Sequence, residues 1–316
     1  MFQLPFTCQQ EIVVDLPIDQ VFSQVGDFHT WAHWSPWVCA EPECAITIQN
    51  QPLTIGHRQE WDGKIIGSGT MSLSAIEPHK QLTYALHFLK PWKSHSTTRF
   101  TFTDLGEQTQ LTWSMEGNLP LFLFFMKKMM VALIQSDYKR GLTMLKEWLE
   151  TGEVASKITH QGKAERPGFF YLGYQRSCHV EDMSTKMKED FQKLMEQQQK
   201  GHLPEAPIWT SIYLKMDPIC QDCEYIAALG YPEEPNSVSR DSALVTGEIS
   251  NHHALRTDHQ GAYPHLGNAW FAALAAQRAY KEKINKRIPM YEIYVNSPDE
   301  VDAKELSTEI YIPVKG

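Results

Sequence analysis

Residues 289–314 read PMYEIYVNSPDEVDAKELSTEIYIPV, in which two runs rich in β-branched and aromatic residues flank a polar segment. Such runs, separated by turn residues, are typical of neighbouring β-strands. Side chains alternate between the two faces of a strand, so Met290, Glu292 and Tyr294 share one face. Both faces are otherwise apolar or aromatic, and the sequence therefore predicts a partly buried carboxylate at Glu292. Such a group is unfavourable unless it is paired or hydrogen-bonded.

The pattern extends towards the N-terminus as two successive strand–helix–strand–strand units within residues 168–316. The first begins at FFYLGYQR (169–176), and the second at HALRTDHQG (253–261), followed by a helix after Pro264. Two such units, related by a pseudo-twofold axis, predict a shared sheet with a groove between two helices. Trp270 on the second helix is either a neighbour of this groove or part of its core packing.

Four histidines, His252, His253, His259 and His265, fall within residues 251–270. His252 and His253 are adjacent, so they point to opposite faces of an extended chain. His259 and His265 flank the turn into the second helix. Metal sites need ligands that converge at fixed spacings. The stretch is therefore interpreted as the rim of a groove, and we predict neither a metal nor a cofactor.

Residues 1–150 show a first strand, a short helical region, alternating β-segments over 45–117, and one long helix from about Phe122 to Glu150. One helix on one curved antiparallel sheet is an α+β arrangement that leaves a hollow between the layers. The candidates for the wall of this hollow are aromatic or sulfur-containing side chains: Trp61, Trp92, Trp113 and Met130. The Trp31, Trp34 and Trp37 cluster either stacks on a ligand or closes the cavity as core behind a helix capped by Asp27.

Composition limits the possible partners. The chain carries 38 Asp and Glu against 29 Lys and Arg, a net charge of −9, with no basic stripe. We therefore expect no direct contact with nucleic acid. The apolar run at 119–134 is interrupted by Lys127 and Lys128 and is too short to span a membrane. Because the N-terminus does not resemble a signal peptide, we expect a cytoplasmic protein without a membrane span.

The first half resembles the polyketide cyclase/START-like (SRPBCC) helix-grip superfamily. The resemblance is carried by DLPIDQVFSQVGDFHTWAHWSPW (15–37), GSGTMSLSAIEPHKQLTYALHFLKPWKS (67–94) and DYKRGLTMLKEWLE (137–150). It implies a deep apolar cavity between the sheet and the C-terminal helix that binds lipid-like or aromatic small molecules. It does not decide between a carrier, a sensor and an enzyme.

The second half resembles the GyrI-like effector-binding domain of multidrug-sensing and AraC-type activators and of gyrase-inhibitory proteins. The resemblance rests on RTDHQGAYPHLGNAWFAAL (256–274) and on the opening stretch, 289–314. It implies that Glu292 lies at a pocket floor ringed by aromatic side chains, which suits cationic, planar, apolar ligands. It also implies an exposed turn at His252 and His253. In those activators a DNA-binding module precedes the effector-binding domain, whereas in this chain the segment that resembles a helix-grip domain precedes it. The resemblance therefore supports ligand binding and not transcriptional activation.

We predict a helix-grip domain at 1–150, a linker at 151–167 and a GyrI-like domain at 168–316. The leading function is binding of a small apolar, cationic or aromatic molecule by a sensor, sequestering protein or carrier. The alternatives are a hydrolase or cyclase with Glu292 as general acid or base, a gyrase-inhibitor-like interaction role, and a Glu292 that binds nothing. The predicted ligand-binding residues in the second half are Glu292, Tyr294, Trp270, Tyr263, Tyr174 and Tyr213. The oligomeric state is not predicted.

Overall fold

The computed structural model describes residues 3–90, 92–235 and 243–316. The chain divides into an N-terminal unit, Met1–Val154, and a C-terminal unit, Ala155–Gly316. Each unit contains one antiparallel sheet and helices that pack on it. The predicted α+β class is therefore confirmed.

The sheet of the N-terminal unit runs in the order β1-β7-β6-β5-β4-β3-β2. Six of these strands, β2 to β7, pair with their neighbours in the chain as consecutive hairpins, as expected for the alternating segments over 45–117. The strands are β1 (Gln3–Val14), β2 (Ala45–Gln49), β3 (Arg58–Asp62), β4 (Ser68–Glu77), β5 (Gln81–Lys90), β6 (Ser94–Asp104) and β7 (Thr109–Pro120).

The helices of this unit are α1 (Ile18–Val25), α2 (Pro36–Ala40) and α3 (Lys127–Thr151), with 3-10 helices at Phe28–His33 and Leu121–Met126. The long helix therefore begins about five residues later than the predicted Phe122. Residues 119–126 are apolar at almost every position, so no amphipathic stripe favours an α-helix there.

Aromatic side chains occupy the space between this sheet and the C-terminal half of α3. The indole of Trp113 stacks on Tyr138 at 3.9 Å and on Phe100 at 4.7 Å between ring centroids. A Cβ at Gly141 would come within 2.9 Å of the Trp113 ring, so the helix approaches this closely only with glycine there. The cavity implied by the resemblance is therefore filled in this part of the unit.

The sheet of the C-terminal unit runs in the order β12-β9-β11-β10-β14-β15-β13-β8. Helices α4 (Val180–Gln199) and α5 (Leu266–Ala279) pack on it, and short 3-10 helices lie at Tyr263–His265 and Ala303–Glu305. The strands are β8 (Ser156–Arg166), β9 (Phe169–His179), β10 (Ile208–Asp217), β11 (Asp222–Tyr231), β12 (Leu244–Ile249), β13 (His252–Gly261), β14 (Met290–Tyr294) and β15 (Ser307–Val314).

Two strand–helix–strand–strand repeats form the centre of this unit, β9-α4-β10-β11 and β13-α5-β14-β15. The sheet order is β9-β11-β10 in the first repeat and its mirror, β14-β15-β13, in the second, and β10 and β14 meet in the middle. The predicted pseudo-twofold repeat is confirmed. Across the central pair, Ser211 lies opposite Glu292.

The predicted linker at 151–167 is wrong over most of its length, because residues 156–166 form β8 and pair with β13. The strand lies at the edge of the sheet, and Ile158 is its one fully buried residue. An edge strand with mostly exposed side chains lacks the apolar alternation by which strands are found in a sequence. None of the described helices is long and apolar enough to cross a membrane.

Candidate functional site

Glu292 is the buried acidic residue at the centre of the C-terminal unit. It lies on β14, between Ser211 of β10 and Ile310 of β15, and only 1% of its surface is exposed. Directly opposed residues in antiparallel strands point to the same face. The predicted burial of this carboxylate is therefore found in the structure, on the face that also carries Tyr294.

Three neutral donors hold the carboxylate. The hydroxyls of Tyr213 and Tyr294 donate to Oε1 at 2.9 Å and 2.5 Å, and the indole Nε1 of Trp270 donates to Oε2 at 2.7 Å. Tyr213 comes from β10 and Trp270 from the second turn of α5. Both repeats therefore contribute to a cage that satisfies both oxygen atoms of Glu292.

Burial and hydrogen bonding act in opposite directions on this carboxyl. Burial raises the pKa of Glu292, and the bonds from Tyr294, Trp270 and Tyr213 lower it without cancelling the rise. Burial also raises the pKa of Tyr213 and Tyr294 well above the usual range, and the charge of Glu292 adds to the rise. Both tyrosines therefore remain donors over the physiological pH range, because their ionised forms are disfavoured.

Aromatic rings surround the carboxylate. The ring of Tyr213 meets that of Trp270 edge-to-face at 5.0 Å, and Tyr263 meets Tyr294 in the same geometry at 5.6 Å. Phe191 of α4 lies 5.4 Å from the Tyr294 ring. Burial, followed by the nearby charge of Glu292, raises the pKa of Tyr263 to about 12. Four of the predicted aromatic residues are thus brought together with Glu292.

Three neighbours of this cage were not predicted: Phe191, Ser211 and Met187. Because Tyr294 gives its one hydroxyl proton to Glu292, Ser211 donates in the 2.9 Å contact between the two hydroxyls. The sulfur of Met187 lies 3.2 Å from Ser211 Oγ and 3.3 Å from Tyr294 Oη. Ser211 can be identified only when the register of β10 with β14 is known, because in that register it lies opposite Glu292. For Met187, only its place on the apolar face of a helix could be predicted from the sequence.

Tyr174, also predicted for the wall, lies on β9, and two strands separate β9 from β14. The amine of Lys193 lies 5.7 Å from the centre of its ring. The structure does not bring Tyr174 to Glu292.

The candidates in the N-terminal unit have three different environments. Trp113 is fully buried, and its indole donates to Thr98 Oγ1 at 2.8 Å. Trp61 is half-buried and meets Phe88 edge-to-face at 6.0 Å, and Met130 packs at the edge of the same core. Trp92 is not on a strand and is 53% exposed, which corrects its predicted place in the cavity wall. The residue before it is a proline, which cannot donate to a ladder.

The tryptophans near the N-terminus behave as core. Asp27 Oδ1 accepts from the backbone N–H of His29 at 2.9 Å and caps the 3-10 helix that follows. Trp31 and Trp34 are fully buried, with ring centroids 4.5 Å apart. The structure therefore agrees with the interpretation in which these tryptophans are core residues behind a helix capped by Asp27, and not with stacking on a ligand.

The four histidines do not converge on one point. His252 is buried on β13, contrary to the exposed turn expected for it, because its ring packs on Tyr291 and its Nδ1 bonds with the carbonyl of Ser250. His259 is buried further along the strand, with Nε2 at 3.1 Å from Ser156 Oγ. Burial, with a smaller effect of His265, lowers the pKa of His259 to about 4. His259 is therefore neutral at physiological pH.

Asp27, His29 and His57 bring three potential ligand atoms within 4.8 Å of one another. The Nε2 atom of His57 accepts the backbone N–H of Phe28 at 3.0 Å, and its Nδ1 lies 3.0 Å from the carbonyl of Asn50. In this tautomer the imidazole lone pair is already used, so His57 does not offer it to a metal. His57 and Asp27 accept the first backbone N–H groups of the 3-10 helix at Phe28–His33, so the cluster is explained as the cap of that helix.

Residues 5–150 match the family described as "Polyketide cyclase / dehydrase and lipid transport". The resemblance of the first half is confirmed by this match. No curated protein matches the chain. The resemblance of the second half to effector-binding domains stays a prediction.

Solved structures similar to parts of the chain include a protein of Mesorhizobium loti, with 16% identity and a TM-score of 0.37 over 47% of this chain and 100% of the other. The SAV2435 protein, solved with tetraphenylphosphonium, has 14% identity and a TM-score of 0.39 over 50% and 94%. A transcription regulation protein of Staphylococcus aureus has 15% identity and a TM-score of 0.37 over 50% and 99%.

Proposed function

We propose that the C-terminal unit binds a small apolar organic cation, with Glu292 as its counter-ion. The observation that supports this most is a carboxyl group that is 1% exposed and that, among the described residues, accepts hydrogen bonds from neutral donors alone. A buried charge without a partner of opposite sign is unfavourable even when hydrogen-bonded. A cation that enters the cage supplies the missing charge.

The rings around Glu292 favour the same class of ligand. Aromatic faces attract cations through their quadrupole, and the attraction is stronger away from water. Trp270, Tyr213 and Tyr263 are each partly exposed, so they form the boundary between Glu292 and solvent. Trp270 and Tyr213 contact each other and the carboxylate, and Tyr263 contacts the ring of Tyr294. Entry of a ligand therefore requires at least one of these rings to move, and Trp270 fluorescence should report it.

The raised pKa of Glu292 gives the binding a defined pH dependence. The carboxyl is protonated below its folded-state pKa and charged above it. Affinity for a cation should therefore be lost as the pH falls through that raised pKa and regained as the pH rises. A neutral ligand of the same shape should show no such dependence.

The test compares two ions of the same shape and opposite charge, tetraphenylphosphonium and tetraphenylborate, by isothermal titration calorimetry on the full chain. We expect the cation to bind and the anion not to bind. Glu292→Gln should lose cation binding by about a hundredfold or more, since the charged hydrogen-bonded site becomes neutral. Glu248→Gln, at an exposed position of β12, is the matched control and should bind as wild type. Equal binding of both ions, or full binding by Glu292→Gln, would refute the proposal.

We propose an enzyme as the second candidate, because a carboxyl with a raised pKa beside two tyrosine hydroxyls has the features of a general acid or base. The reaction would be hydrolysis or cyclisation of a small apolar electrophile. Time-dependent consumption of such a compound, abolished by Glu292→Gln and unaffected by Glu248→Gln, would favour this candidate. Stoichiometric binding without turnover favours the carrier or sensor.

A further inference from the structure

The N-terminal unit exposes large apolar side chains at one end of its sheet. Phe124 and Phe125, in the 3-10 helix that precedes α3, are 66% and 68% exposed. Leu121 in the same helix and Trp92 in the β5–β6 connection are also more than half exposed. We call these four residues, together with Lys93 and Lys128, the apolar tip.

The strand register places the two parts of the apolar tip at the same end of the sheet. Ser96 of β6 pairs with Gly117 of β7, so the start of β6 and the end of β7 lie side by side. The β5–β6 connection, which contains Trp92, precedes β6, and the 3-10 helix with Phe124 follows β7. Exposed apolar groups concentrated at one end of a domain mark an interaction surface.

The charge of the apolar tip is opposite to that of the unit as a whole. Residues 1–153 carry 11 lysines and arginines against 16 aspartates and glutamates, yet Lys93, Lys127 and Lys128 fall within or beside the tip. Among the described residues, ion pairs involve none of these three lysines. The neighbouring carboxylates Asp62 and Glu116 already pair with Lys90 and Arg99.

We propose that the apolar tip docks the protein on an anionic lipid surface. Exposed phenylalanine and tryptophan beside lysine is the combination that enters the headgroup region while the ammonium groups face acidic lipids. The attachment is peripheral, because no described helix is long and apolar enough to cross the membrane. A second copy of the chain fits less well, since a twofold contact through this surface brings lysines of like charge together.

The opposite end of the same sheet provides a matched control. Ile55, before β3, and Leu105, in the β6–β7 turn, are 63% and 49% exposed, and the register places both at the far end from the tip. The control variant Ile55→Ser/Leu105→Ser therefore removes two exposed apolar side chains from the far end of this unit, as Phe124→Ser/Phe125→Ser removes two from the tip. All four positions are exposed, so circular dichroism should show the fold of both variants unchanged.

The experiment is flotation of the full chain with vesicles of phosphatidylcholine alone or mixed with phosphatidylglycerol. We expect wild type to float with the mixed vesicles, and less so at high salt, because screening weakens the lysine contribution. Phe124→Ser/Phe125→Ser and Lys93→Glu/Lys128→Glu should each reduce the partition coefficient by about tenfold or more. The Ile55→Ser/Leu105→Ser control should float as wild type.

Three results would overturn the proposal: no flotation of wild type with anionic vesicles, equal flotation with phosphatidylcholine alone, or an equal loss in the control variant. If Phe124→Ser/Phe125→Ser instead converts a dimer to a monomer in light scattering, without vesicle binding by wild type, the tip is a self-association surface. This proposal concerns the N-terminal unit, so Glu292→Gln should float as wild type.

Discussion

The two units bury similar side chains around chemically different centres. In the N-terminal unit, Thr98 Oγ1 donates to the carbonyl of Ser114 and accepts from Trp113 and Tyr138, so every polar atom of this group has a neutral partner. In the C-terminal unit, an indole and two phenols converge on the carboxyl of Glu292. Indole and phenol donors therefore bond to the neutral hydroxyl of Thr98 in the N-terminal unit. In the C-terminal unit, the same kinds of donors bond to the titratable carboxyl of Glu292.

The difference separates a core from a candidate site. A neutral network whose members satisfy one another gains nothing from a further partner. A buried carboxylate with neutral donors keeps an uncompensated charge, and the free energy of that charge falls when a cation binds. Burial of aromatic residues alone therefore does not identify a site, whereas the carboxyl at its centre does.

The largest expected effect tests whether Trp113 is core. Trp113→Ala should lower the free energy of unfolding by about 3–5 kcal/mol, because it empties a packed position between Phe100 and Tyr138. The measurement is urea unfolding of the full chain followed by circular dichroism. Trp92→Ala, at an exposed position, should stay within about 0.5 kcal/mol of wild type. A small effect at Trp113 would mean that this interior is open space, as a ligand cavity requires.

The next effect is the pH dependence caused by His259. Its folded-state pKa of about 4 lies below the ordinary value of 6.5, so the folded state binds fewer protons between these two values. Stability should therefore fall as the pH drops from about 6.5 towards 4, by about 3 kcal/mol in all. Chemical unfolding at a series of pH values should show a shallower slope for His259→Gln than for wild type. Identical slopes would show that His259 is not buried as a neutral group.

The smallest expected effect compares the same substitution in the two interiors. Tyr138→Phe removes a neutral hydrogen bond and should destabilise by about 1 kcal/mol at every pH. Tyr294→Phe removes a bond to Glu292 and should destabilise by about 1.5–3 kcal/mol where the carboxyl is charged, and less where it is protonated. Because the folded-state pKa of Glu292 is raised, the larger loss should appear at alkaline pH. If Tyr138→Phe and Tyr294→Phe lower the free energy of unfolding by the same amount at every pH, Glu292 does not make the centre of the C-terminal unit different from that of the N-terminal unit.

Much of the fold is predictable because it depends on local patterns. The alternation over 45–117, the long amphipathic helix and the two repeats all arise from residues that face a core at regular spacing. The edge strand β8 could not be found, since only Ile158 among its side chains is buried. The burial of His252 could not be found either, because it depends on contact with Tyr291 across the sheet.

The candidate site was predicted only in part, for a similar reason. Glu292 stands out as a carboxylate within an apolar strand, and that observation needs no partner strand. Ser211 and Met187 join the site only through the register of β10 with β14 and the packing of α4. Tyr174 looks equivalent to Tyr213 in the sequence, yet the strand order places it elsewhere. The gyrase-inhibitor-like interaction role, one of the alternatives predicted from the sequence, depends on a partner and stays a prediction.

The most direct test of Glu292 as a counter-ion is the number of protons released when tetraphenylphosphonium binds. This number is obtained by calorimetry at one pH in buffers with different ionisation enthalpies. Because burial raises the pKa of Glu292, the free protein keeps the carboxyl proton to a higher pH than an exposed carboxyl does, and a bound cation should expel that proton. We predict a release that decreases as the pH rises through that pKa and that is absent in Glu292→Gln. Binding with no proton release at any pH, or with the same release in Glu292→Gln, would contradict the account.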